Sequence, residues 1–245
     1  MSGIGVWPSE ATTGSLAEQA YFAVRDRLLT LAIPPGAPIQ EDRLCAELGF
    51  GRTPVREALK RLEAEHLVVV YPRRGTFATE IDIADHALIA DVRRHLEALA
   101  AERAAQHMTR ADEAALRALR GDVDVAGGVA RPGPGGDGGG AGPHRDELMR
   151  LDGRLHQALY RATHNPYLEA TLGQYYNLAL RLWYVFIDRL EDVADHVGGH
   201  AALLDAVLAR DAATAGRLAA EHVERFERAV LAVELQAIPL TPRAD

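Results

Sequence analysis

One short stretch constrains this chain more than any other. Two β-prone runs, Leu67 to Tyr71 and Thr76 to Ile81, are joined by Pro72-Arg73-Arg74-Gly75, and this reads as a hairpin. Nearly everything around it repeats at helical spacing. Ahead of the hairpin, Leu16, Ala20, Ala23, Val24, Leu28 and Leu31 mark a helix that Ile33-Pro34-Pro35-Gly36 should stop. A second, shorter helix spans Glu41 to Leu48, and Gly49-Phe50-Gly51 makes a tight turn. A third helix should open with Thr53 as its N-cap and Pro54 at its first position, and run to about His66. Helix, turn, helix and a two-stranded wing together are the winged helix-turn-helix plan.

The third helix has two faces. At about 100° per residue, Val55, Ala58, Leu59 and Leu62 gather on one side, and Thr53, Arg56 and Lys60 on the other. A basic, hydrogen-bonding face that follows a tight turn suits the major groove. Arg73 and Arg74 at the wing tip are placed to reach backbone or minor groove. A solvated charged helix would explain the face alone. The turn, the cap and the basic wing together favour DNA.

Charge agrees in its distribution rather than its sum. The net charge of −8 argues against a protein that coats nucleic acid without selection. Within 52–74, however, Arg52, Arg56, Lys60, Arg61, Arg73 and Arg74 outweigh Glu57, Glu63 and Glu65. Cys45 is the single cysteine, which excludes an internal disulfide and a Cys-rich zinc cluster, and it should pack inward. The best apolar run, Leu178 to Ile187, is short and carries Arg181, so no membrane span is expected. The opening residues lack the basic and apolar segments of a signal peptide, and a cytoplasmic protein is expected.

From residue 82 onward the pattern predicts helices near 83–107, 109–121, 144–164, 167–191, 193–210 and 211–236. The Gly- and Pro-rich run 121–143 should be a flexible loop between two of them. Three helices carry polar residues on apolar faces. Asp152 and His156 are four apart between Leu148 and Leu159; His200 opens the stripe Leu203, Leu204, Val207; His222 sits between Leu218 and Phe226. A lone histidine on such a face is usually a hydrogen-bonded core residue. A buried carboxylate is harder to explain without a partner. Asp152, His156, His200 and His222 together could hold a divalent ion, with zinc or nickel the best suited. His196, four before His200, competes as a ligand.

The stretch IPPGAPIQEDRLCAELGFGRTPVREALKRLEAEHLVVVYPRRGTFAT resembles the N-terminal domain of GntR-family transcription regulators over about 45 residues. That likeness implies a homodimer on double-stranded operator DNA with an inverted repeat. It places DNA contacts at Arg43, Arg52, Thr53, Arg56 and the Arg74-Gly75 wing region. One departure is His66, where the family usually has glycine. Asp152-Gly-Arg-Leu-His156, His200 before AALLDAVLARD and His222 in AAEHVERF resemble the FCD ligand-binding domain of the FadR branch. The resemblance implies a mainly α protein: a winged helix-turn-helix domain over 10–81, then an antiparallel all-helical bundle over 82–236 that binds metal and effector.

In that family the metal helps hold a small carboxylate effector. Arg93 is the inward candidate to pair with it, and a salt bridge to Glu97 is the alternative. Asn165, in the family's Asn-Pro turn, is a second candidate contact, with a helix cap as the alternative. Trp183, Tyr184 and Tyr176 are candidates to line the pocket, with core packing as the alternative. The function expected is an effector-responsive regulator, a repressor released from its operator by a small organic acid. The competing class is a metal-dependent enzyme using the same aspartate and three histidines. No nucleophile, separate general base or phosphate loop supports that class.

Overall fold

The computed structural model describes residues 14–82, 84–129, 145–186 and 193–237. The N-terminal part packs α1 (Leu16–Leu29), α2 (Glu41–Leu48) and α3 (Arg52–Ala64) against a small antiparallel sheet of β1 (Pro38–Ile39), β2 (Val68–Tyr71) and β3 (Gly75–Ala78), in the order β1-β3-β2. Ser15 caps α1 by accepting the Glu18 amide at 3.2 Å. Ala20, Val24 and Leu28 then fall on the face that meets Val55, Ala58, Leu59 and Leu62 of α3, all buried.

Three details differ from the sequence expectation. First, α1 stops at Leu29, before the proline pair, because Leu31 turns left-handed at φ 59°. Second, α3 is capped by the Gly51 backbone, with Arg52 its first residue. Thr53 is therefore inside the helix rather than its N-cap, and Pro54 stands in the first turn, where its missing amide costs nothing. Third, Pro38 and Ile39 form a strand that no alternation announced. It exists because Gly36 (φ 71°) donates to Ala78 O and Ala78 donates to Ala37 O, which lays the segment along β3.

The hairpin is as read. Tyr71 pairs with Gly75 and Val68 with Ala78, and the tip bends through Arg73 at φ 63° and Gly75 at φ 101°. His66, in the glycine position of the resemblance, takes φ 61°. Cys45 is half-buried against the core.

The rest is helical: α4 (Ala84–His107), α5 (Arg110–Val129), α6 (Arg145–Ala162), α7 (Pro166–Phe186), α8 (Val193–Gly198), α9 (His200–Leu208) and α10 (Ala212–Ala237). α4 and α10 form the longest contact and run antiparallel: His86 meets Phe226, Arg94 meets Glu224, and Glu102 meets Gly216. α5 continues through Gly121 to Val129, so the glycine-rich break does not begin at 121. Its remainder lies outside the described residues, as does the expected end of α7 beyond Phe186. The single helix expected over 193–210 is two, broken at Gly199. Among the described residues, no helix is long and apolar enough to cross a membrane.

Candidate nucleic-acid interface and metal centre

The packed face of α3 leaves its basic face outside. Arg43, Arg52, Thr53, Arg56, Lys60, Arg73, Arg74 and Gly75 are all exposed. Three of the arginines hold carboxylates of α2: Arg56 Nε to Glu41 at 2.7 Å, Arg52 Nε to Asp42 at 2.9 Å, and Arg43 Nε to Glu47 at 2.7 Å. Exposed pairs of this kind are worth at most about 1 kcal/mol. A phosphate or a guanine edge can therefore displace the carboxylates. Arg74 lies with its guanidinium 5.9 Å from the Tyr71 ring centre at the wing tip.

In the bundle, α6, α9 and α10 bring Asp152, His156, His200 and His222 together, with one donor atom of each within 4.8 Å of the others. All four are buried, with 0–4% exposure. His156 Nε2 is 3.4 Å from His200 Nε2, and Asp152 oxygens lie 3.8 Å and 3.6 Å from these two nitrogens. The edges of a tetrahedron of ligands about 2.1 Å from a zinc ion are about 3.4 Å. Asp152 Oδ1 has no well-aligned hydrogen-bond donor among the described residues, although His196 Nε2 comes to 3.4 Å. An orphaned, buried carboxylate oxygen facing imidazole nitrogens is the arrangement a cation would complete.

The outer atoms of the ligands are already held. His200 Nδ1 meets the Val197 carbonyl at 3.2 Å, and His156 Nδ1 meets the Tyr160 hydroxyl at 3.1 Å, which leaves both Nε2 atoms facing inward. Tyr176 donates to Asp152 Oδ2 at 2.8 Å, and Tyr160 donates to Glu97 at 2.6 Å. Burial pushes His200 down to about 3 against the pull of Asp152, and holds His222 well below the usual imidazole range. Both rings are therefore neutral near pH 7 and keep a lone pair. Burial alone would raise Asp152, but the facing imidazoles, His156 foremost, hold it well below the usual carboxylate range.

The remaining candidates divide. His196 Nε2 comes to 3.4 Å from Asp152 Oδ1, and its ring lies tilted against Trp183 and His222, so it stands at the edge of the cluster. Arg93 makes the salt bridge of the second alternative, Nη2 pairing with Glu97 at 2.8 Å, and its side chain also lines the cavity over the cluster. Its Nε has no partner among the described residues. Asn165 is a cap. Its side-chain oxygen accepts the Tyr167 and Leu168 amides at the start of α7, and it does not line the cavity. Tyr176 and Trp183 line the cavity, and Tyr184 does not.

Glu97 and Tyr160 did not stand out in the sequence as a second layer around the ligands. Extending the four-residue stripe of Asp152 and His156 by one step reaches Tyr160 and would have found it. The cavity itself is about 10 Å³, room for one water or ion.

Comparison with known proteins agrees with both halves. Residues 16–78 match the gntR family of bacterial regulatory proteins, and residues 88–225, more than half of the chain, match the FCD domain. An HTH-type transcriptional regulator in an unstable DNA locus of Streptomyces ambofaciens is 32% identical over 58% of this chain. The match spans 53% of that relative's length. The HTH-type transcriptional repressor RspR of Escherichia coli K12 is 22% identical over 89% of this chain and 90% of its own. The solved structure of E. coli McbR/YncC has the same fold, with a TM-score of 0.74 at 21% identity over 92% of this chain and 100% of the other. The winged helix-turn-helix half and the helical bundle thus belong together: this chain is a GntR-family transcription regulator with an FCD domain, a member of a family of regulators rather than of enzymes.

Proposed function

We propose that this protein is a cytoplasmic, homodimeric repressor that binds an inverted-repeat operator and leaves it when a small carboxylate binds beside a divalent metal. The observation that carries the reading is the orphaned Asp152 oxygen among three buried histidines, in a chain whose other half presents an exposed basic recognition helix. Asp152, His156, His200 and His222 would hold zinc or nickel. When bound, the ion supplies a Lewis-acidic anchor for an anion. Arg93 is positioned to add a second positive charge, with its Nε still unpartnered. The present cavity is too small for an organic acid, so effector entry requires its walls to part, Trp183, His196 and Phe226 among them. That movement is what would make the effector bind one conformation better than another.

Arg43, Arg52, Thr53, Arg56 and Lys60 would contact the operator from the helix-turn-helix, and Arg73, Arg74 and Gly75 from the wing. The test begins with duplexes selected from a random pool by the purified protein. Arg56→Ala should lose about 1–3 kcal/mol of affinity for the selected site and relax its specificity at one base pair. Arg74→Ala should weaken binding across sequences and flatten its salt dependence. Undiminished binding by Arg56→Ala would overturn the placement of the recognition helix.

A further inference from the structure

α7 serves two places at once. Tyr176, Ala179, Leu180 and Trp183 line the metal cavity. Arg181, between the last two, points instead to the DNA-binding half. It is 2% exposed, and its Nη1 donates to Thr79 Oγ1 at 2.6 Å while Nη2 donates to the Thr79 carbonyl at 2.9 Å. Thr79 directly follows β3 and closes the base of the wing. Its amide donates to Leu67 O at 3.1 Å and its hydroxyl to His66 O at 2.9 Å.

The charge on Arg181 makes this contact unusual. Among the described residues its hydrogen-bond partners are neutral oxygens, Glu80 acts on it through charge alone, and its Nε has no partner. A buried cation held this way is costly, and an apolar residue of similar volume would stabilise the junction at least as well. Packing therefore does not explain the residue. Its geometry does: two bonds from a planar guanidinium to one residue fix the direction of the wing base as well as its distance.

We propose that Arg181 is the positioning residue that carries the state of the metal cavity to the wing. A shift of α7 around Tyr176 and Trp183 would move Thr79, and with it the strand ends that aim Arg73 and Arg74. This rests on the metal reading above, and the experiment separates the two. The full-length protein is compared as wild type, Arg181→Gln, Arg181→Lys and Thr79→Val, with zinc alone as the probe. The readouts are zinc affinity, affinity for the selected duplex with and without zinc, and amide hydrogen exchange over residues 66–79.

In wild type, zinc should shift duplex affinity by about fivefold or more and change exchange at the wing base. In Arg181→Gln, zinc affinity and zinc-free duplex affinity should stay within about twofold of wild type, while the zinc effect on both readouts disappears. Arg181→Lys should restore part of it, and Thr79→Val, which keeps the side-chain shape, should reduce it even if Arg181→Gln fails to fold. A full zinc response in the variants overturns the proposal, as does zinc binding to wild type with no change at the wing. If zinc does not bind wild type, the metal reading fails and the tether is judged in the metal-free protein. There Arg181→Gln should exchange its wing-base amides faster than wild type, and equal rates overturn it.

Discussion

Tyr21 links α1 to the end of α3 through one buried phenol. Its hydroxyl donates to Glu65 at 2.7 Å, and the Arg61 guanidinium lies 3.6 Å from its ring centre. Burial pushes the phenol up to about 12; Glu65 adds to this, and Arg25 and Arg61 oppose it. A folded pKa above the unfolded value of 10 means that the stabilisation is fully present below pH 10 and is lost as pH rises from about 10 to 12. Two units correspond to ~2–3 kcal/mol. Tyr21→Phe should cost ~1 kcal/mol at neutral pH and remove this alkaline loss, read by chemical denaturation at pH 7, 10 and 12. A Phe variant as alkali-sensitive as wild type would show that another group titrates. His66 makes the complementary point at the same scale. It holds φ 61° without being glycine, because its carbonyl is gripped by the Thr79 hydroxyl and the next residue, Leu67, is fully buried.

Between elements, the Asp152, His156, His200 and His222 cluster is braced by helices that contribute none of its four members. α7 supplies Tyr176, which donates to Asp152, and α4 supplies Glu97, which takes the Tyr160 hydroxyl and pairs with Arg93. Such outer partners typically change metal affinity by about 10–100-fold when removed. Tyr176→Phe should therefore weaken zinc binding by about that factor, measured by competition with a chelator, while the metal-free protein keeps its helical content. Unchanged zinc affinity would mean that the Tyr176 bond serves packing alone. The break at Gly199 belongs to this scale too. A Cβ there would come within 3.1 Å of the His196 carbonyl and 3.4 Å of Arg225, so glycine lets α9 start tightly after α8 and sets His200 over the cluster. Apolar spacing alone runs unbroken through 193–210, and the break is marked in the sequence by the Gly198-Gly199 pair rather than by hydrophobic period.

For the whole molecule, the three helices that carry the Asp/His cluster meet at one point, so an ion bound there as proposed should be coupled to the fold. Zinc at a hundred times its Kd should stabilise the protein by about 2.7 kcal/mol, seen as a concentration-dependent rise in Tm. His222→Ala should abolish most of that rise, and an equal rise in the variant would place the zinc elsewhere. The hairpin of the wing, the two faces of α3 and the placing of four polar residues on apolar stripes were all determined by the sequence, because each is a matter of local period or turn chemistry. Apolar spacing puts Val55 and Leu62 inward and Arg56 outward whatever the rest of the chain does, and a polar residue on an apolar stripe declares itself at once. The strand at Pro38–Ile39, the Glu97–Tyr160 layer and the grip of Arg181 on Thr79 were decided only by tertiary structure. Each depends on a partner tens of residues or more away along the chain, whereas the cap at Asn165, two and three residues from its partners, was already among the sequence alternatives. Spacing along one element carries no information about the neighbour it will meet.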